Sequence, residues 1–83
     1  MVDVIYTTTV RDSEQAEPRF YRMDCGNPKL LVESISRFAR FELTDPEVYI
    51  ESTTDGFKIE VRHTSDVDGE RKTLYYDITR KLV

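Results

Sequence analysis

The sequence predicts one small α+β domain in the order β-β-α-β-β-β, an antiparallel sheet with a single helix packed on one face. Three features predict it. One amphipathic stretch opens at Asn27-Pro28 and is closed by Thr44-Asp45-Pro46. Runs rich in β-branched and aromatic residues stand on either side of it. Two Asp-Gly pairs, Asp55-Gly56 and Asp68-Gly69, punctuate the second half as hairpin turns. With 83 residues, the chain is read as one domain over 1–83 with one thin core.

Residues 2–10 (VDVIYTTTV) suit a first strand, and the polar 11–18, ending in Pro18, suit a loop. Residues 19–24 (RFYRMD) form a short second strand of ambiguous facing, since Phe20 points one way and Tyr21 with Met23 the other. Asn27 is a good N-cap, and Pro28 suits the first helical position. The helix is expected over Pro28 to about Glu42. Leu31, Ile35, Phe38, Ala39 and Glu42 fall on one face, and Val32 widens it. Glu33 and Arg37 pair at i,i+4 on the other side. Leu30 and Phe41 lie outside the stripe; if exposed with Val32, they mark a second contact or a homodimer interface. Residues 47–54, 57–64 and 72–82 are read as a three-strand meander, with 65–70 a slightly longer loop. The place of the first hairpin beside this meander is left open, with the first or the last strand taken as an edge.

Hairpin turns fix register. Centring the first on Asp55-Gly56 pairs Val48 with His63, Ile50 with Val61 and Ser52 with Ile59. Centring the second on Asp68-Gly69 pairs Val61 with Tyr76, Ile59 with Ile78 and His63 with Leu74. Both centrings put Val48, Ile50, Phe57, Ile59, Val61, Leu74, Tyr76 and Ile78 on one face, where the helix should pack. The other face then carries rows: Tyr49, Arg62 and Tyr75; Glu51, Glu60 and Asp77; Thr53, Lys58 and Thr79. Like charges directly opposed destabilise a sheet, so a row of three carboxylates marks this face as a candidate site.

Composition narrows the function. Twelve basic and sixteen acidic side chains leave a net charge of −4. The first 43 residues carry six basic and seven acidic, the remainder six and nine. A net-negative chain argues against direct nucleic-acid binding, which needs clustered cations. Five tyrosines and four phenylalanines are too many for a chain that never collapses. A lone cysteine, Cys25, excludes an internal disulfide and points to the cytoplasm. No signal peptide or membrane-length apolar run is read.

No motif calls for a cofactor, metal or catalytic apparatus. Cys25 precedes the helix cap, where a thiolate is stabilised, but nothing places His63, the single histidine, beside it. The segment Thr64–Gly69 lacks the first and last ligands of a calcium loop. Three isolated glycines make no phosphate cradle. The expected function is therefore a non-enzymatic protein-binding module. Tyr49, Glu51, Glu60, Arg62, Tyr75 and Asp77 would engage the basic, nucleic-acid-binding surface of a larger protein. In size, acidity and absence of catalytic motifs the chain is similar to small inhibitors encoded by phages and mobile elements. The competing expectation is a small nucleic-acid-binding domain using Arg19, Arg22, Lys29, Arg37 and Arg40, with Arg11 added from the first hairpin.

Overall fold

The computed structural model describes residues 4–13, 15–25 and 27–82, with the backbone alone at Asp24 and Cys25. Five strands and one helix follow in the predicted order: β1 (Val4–Arg11), β2 (Arg19–Cys25), α1 (Pro28–Glu42), β3 (Thr44–Ser52), β4 (Gly56–Thr64) and β5 (Arg71–Leu82). The strands form one antiparallel sheet in the order β2-β1-β5-β4-β3. Neither the first strand nor the last is an edge. β1 and β5 pair along their length, Val4 with Leu82 through Arg11 with Tyr75, and so join the first hairpin to the meander. The edges are β2 and β3, and α1 runs between them across one face.

Local chemistry sets the helix ends. The Asn27 side chain accepts a hydrogen bond from the Lys29 N–H at 3.0 Å, and Pro28 occupies the first turn. At the other end the Leu43 N–H reaches the Ala39 carbonyl at 3.2 Å. Asp45 then takes φ 48°, a left-handed conformation that Asp tolerates better than most side chains. Pro46 follows on an edge strand, where the missing N–H costs no ladder bond, and the β3–β4 register is irregular between Thr44 and Glu47.

The core lies between α1 and the inner sheet face: Leu31, Ile35 and Ala39 against Ile59, Val61, Tyr76 and Ile78. The helix is rotated from its expected setting. Its buried positions are Leu31, Ile35, Ser36 and Ala39, while Phe38 is 37% exposed. At about 100° per residue, Val32, Ser36 and Leu43 extend the buried arc on one side of the Leu31–Ile35–Ala39 line. Phe38 falls at its opposite margin, while Glu42 lies within the line but at the end of the helix, where it is exposed. Ile50 has inner-face parity but lies on edge strand β3, and it is 51% exposed.

Both hairpin registers differ from expectation by two residues in the same sense. Ile50 pairs with Ile59 and Val48 with Val61; Ile59 pairs with Tyr76 and Val61 with Leu74. The first turn is centred on Thr54-Asp55, with the Thr53 N–H donating to the Gly56 carbonyl at 2.9 Å. None of residues 53–56 has a positive φ, so the Asp-Gly turn with left-handed central residues does not form. In the second hairpin the Ser65 N–H donates to the Glu70 carbonyl at 2.8 Å, and only Gly69 (φ 72°) turns left-handed. Asp68 accepts the Glu70 N–H at 3.0 Å; this bond foremost holds its carboxyl below the usual carboxylate range. A shift of two preserves side-chain parity, so the apolar set stays on the inner face while every cross-strand neighbour changes.

Two consequences of the core are measurable. Thr8 is fully buried, and its Oγ1 has no hydrogen-bond partner among the described residues. An unmet buried hydroxyl costs about 1–3 kcal/mol, so Thr8→Val is expected to stabilise the fold by about 1 kcal/mol. Denaturant titration should show a higher midpoint with an unchanged slope. Burial also pushes the Tyr76 phenol up to about 12, with Tyr21, whose ring meets it edge-on at 5.4 Å, adding to the shift. The folded state therefore prefers the protonated phenol. This contribution is complete below an unfolded tyrosine's pKa of about 10 and is lost as pH rises toward 12. Tyrosinate absorbance should show a phenol that ionises only as pH approaches 12, together with loss of the fold; unfolding complete below pH 10 would contradict it.

Candidate protein-binding face

The site residues named from sequence share the outer face, but their rows are recomposed. Tyr49 on β3 lies beside Glu60 on β4, then Tyr75 on β5, then Arg11 on β1. Glu51 lies opposite Lys58, which lies opposite Asp77, and Thr9 continues the row. The expected file of Glu51, Glu60 and Asp77 is thus absent. The two-residue shift inserts Lys58 between Glu51 and Asp77 and moves Glu60 between two tyrosines. Opposite charges directly across a sheet are favourable, so the rule that seemed broken is obeyed. Likewise Arg62 stands opposite Glu47 and Thr73, not between Tyr49 and Tyr75.

Two similar clusters result. The Arg62 guanidinium sits over the Tyr49 ring, 5.0 Å from its centre, and its Nη2 lies 2.8 Å from Glu60 Oε2. The Arg11 guanidinium sits over the Tyr75 ring at 5.5 Å, and its Nη2 lies 3.5 Å from Asp77 Oδ2. In each, an arginine covers an aromatic face and reaches a carboxylate two positions along the same or the adjacent strand. Tyr49 Oη also donates to Glu47 Oε2 at 2.6 Å, and Arg71 Nη2 holds the other oxygen of Glu47 at 3.3 Å. That hydrogen bond foremost, then the charge of Glu47, lifts the Tyr49 phenol above its ordinary pKa. The bond from Arg62 to Glu60 raises the guanidinium's pKa in the same way. Exposed pairs of this kind add little stability; their geometric result is that each guanidinium lies over a ring and beside a carboxylate.

Between the clusters lies a shallow groove of about 220 Å³, bordered by Tyr49, Tyr75, Arg11 and Lys58 with Glu60 along it. Arg11 was grouped by sequence with the helix arginines; pairing with β5 brings it here instead. Lys58 is expected from sequence in the neighbouring row with Thr53 and Thr79, and Glu47 in none. Their signal was the alternation itself, which needs the register to be read.

The alternative basic set divides. Arg22 and Arg37 border a trough between β2 and α1, where Arg22 Nη1 donates to Ser34 Oγ at 2.9 Å. Arg19, Lys29 and Arg40 are exposed outside it. His63 is half-buried opposite Lys72, and the Cys25 side chain lies outside the described residues. Among the described residues no group of three His, Cys, Asp or Glu side chains could hold a metal ion, and no helix is long and apolar enough to cross a membrane.

The fold and this face define a class: a single-sheet α+β domain with one helix-covered face and one open face that carries two arginine-covered tyrosines. No family model, curated protein or solved structure matches the chain.

Proposed function

We propose that the chain is a non-enzymatic protein-binding module that docks the open sheet face on a larger protein. The observation that carries this reading is the pair of arginine-covered tyrosines flanking the groove. Tyr and Arg are the side chains that most often anchor interfaces. Here they are held in place before any partner arrives, which lowers the ordering cost of association. The face retains Glu47, Glu51, Glu60 and Asp77, each beside a cation, so tyrosine and arginine contacts carry the docking. The net charge of −4 steers the approach toward a basic surface, such as one that otherwise binds nucleic acid. A small acidic inhibitor of the phage or mobile-element type, acting in the cytoplasm, fits this reading.

The test compares the immobilised wild-type chain with Tyr49→Thr/Tyr75→Thr in a lysate of the source cell or its host. Both chains are first checked for equal far-ultraviolet dichroism. The wild type should retain one specific protein that the variant loses by at least tenfold, and that protein should release an oligonucleotide when the chain is added. Equal retention by both chains, or none by either, overturns the reading.

A further inference from the structure

We propose that the trough between β2 and α1 is a second docking site, separate from the open face, where an extended acidic and apolar segment of a partner protein adds as a strand to the edge of β2. The sheet's two edges differ in how they are protected. β3 carries Pro46, the left-handed Asp45, an irregular register and the outward charges of Glu47 and Glu51, the devices that deter edge pairing. β2 shares an irregular register, against β1 between Thr8 and Thr9, and carries Arg19 and Arg22, but it has no proline, and its apolar Phe20 and Met23 are 66% and 53% exposed. Among the described residues it pairs only with β1, so alternate backbone groups along its other side are open to a further strand.

Beside this edge the helix supplies the second wall. Leu30, Ser34, Arg37 and Phe41 recur at i, i+4, i+7 and i+11, which places them on one flank of α1. That flank borders two adjoining depressions of about 550 and 460 Å³, which share Arg22, Ser34 and Arg37. Leu30 is 51% and Phe41 79% exposed. A strand added to β2 would alternate its side chains between this flank and the neighbourhood of Phe20 and Met23. Its apolar residues would cover Leu30 and Phe41.

Charge selects the occupant. Arg22 and Arg37 are common to both depressions, whereas Glu33 borders only one and Glu42 only the other, so the cations lie toward the middle of the trough. The Glu33–Arg37 pair expected from spacing does not form: neither arginine makes an ion pair with a described residue, and Arg22 gives one N–H to Ser34, so carboxylates at the middle of the added strand meet two guanidinium groups. A second copy of this chain fits less well. Symmetric pairing of β2 with itself about its central residue, Arg22, sets that cation against its own image.

A random decapeptide library selected on the folded full chain tests this. Enriched peptides are expected to alternate Glu or Asp with apolar residues and to lack internal proline. Their binding should shift the amide resonances of residues 19–25 and fall at least tenfold on Arg22→Glu/Arg37→Glu. Arg37→Glu alone, at an exposed helix position, should lower affinity severalfold, so a folding defect in the double variant would not hide the result. Enrichment without acidic residues, equal affinity for the variants, no enrichment, or shifts confined to the outer face would overturn the proposal. So would a dimer mass that Met23→Lys converts to monomer, or tighter binding of an oligothymidine at the same resonances.

Discussion

Ile35→Ala is expected to cost about 3–4 kcal/mol of stability. Ile35 is fully buried at the centre of α1, flanked on its own face by Leu31 and Ala39 and facing Ile59, Val61, Tyr76 and Ile78 across the interface. Alanine is the better helix former by a few tenths of a kcal/mol, so the loss comes from packing: removed apolar area plus a cavity that the sheet cannot follow inward. A domain of 83 residues has a stability on the order of 4–12 kcal/mol, so one substitution removes a large share. The melting temperature should fall by roughly 12–30 °C. Phe41→Ala on the same helix removes a larger side chain, yet Phe41 is 79% exposed, and its stability should change by less than about 0.5 kcal/mol. Equal losses at the two positions would mean the helix packs on another face. The contrast also bears on function, since only a residue that contributes little to folding is available for a partner.

What the sequence made legible follows the range of the interactions involved. The helix bounds were readable because Asn27, Pro28 and Pro46 act on their immediate neighbours. Face parity in the meander was readable because alternation in β4 and β5 is a local pattern. The position of β1 was not, because its partner Leu82 is contributed by the far end of the chain, and nothing near Val4–Arg11 encodes a pairing with β5. Arg11 therefore reached the open face unseen. The carboxylate row failed for a different reason. It depended on where the turns are centred, and a two-residue error leaves parity intact while exchanging every neighbour. Tyr49, Glu60, Arg62, Tyr75 and Asp77 were thus placed on the right face in the wrong company. The clusters they form, with arginine over tyrosine and bonded to carboxylate, are what the corrected register supplies. Phe38 shows a third limit: its spacing fits the apolar stripe, but the sheet contacts Val32 and Ser36 in preference, and helical periodicity alone does not say which side of a stripe is wider.

Gly56→Ala is expected to be far more damaging than Gly69→Ala, although both glycines follow an aspartate in what reads as the same turn. Gly69 lies at φ 72° with open space where a side chain would go. Its substitution carries only the conformational penalty of a left-handed alanine, about 1 kcal/mol. Gly56 has no positive φ; it is the first residue of β4, opposite Thr79. A β-carbon built there lands on the carbonyl oxygen of Ile78, with the carbonyl carbon 2.9 Å away. The obstacle is backbone in the buried middle of β5, next to a side chain that is 2% exposed, so it cannot swing aside. Relief requires the start of β4 to move off β5, which breaks the bond from the Arg80 N–H to the Asp55 carbonyl at 2.8 Å. The cost should be at least about 3 kcal/mol, at or above the upper end for overpacking. Amide exchange should show the β3–β4 turn and the Phe57–Ile78 pair opening first. The two-residue register follows from the same contact: Gly56 is needed inside the ladder for its missing side chain, which leaves Thr54-Asp55 to make the turn. A Gly56→Ala protein with stability equal to Gly69→Ala would return Gly56 to the turn and restore the carboxylate row. Measuring the two alanine variants together therefore decides between the register that opposes Glu51 to Lys58 and the one that opposes it to Glu60.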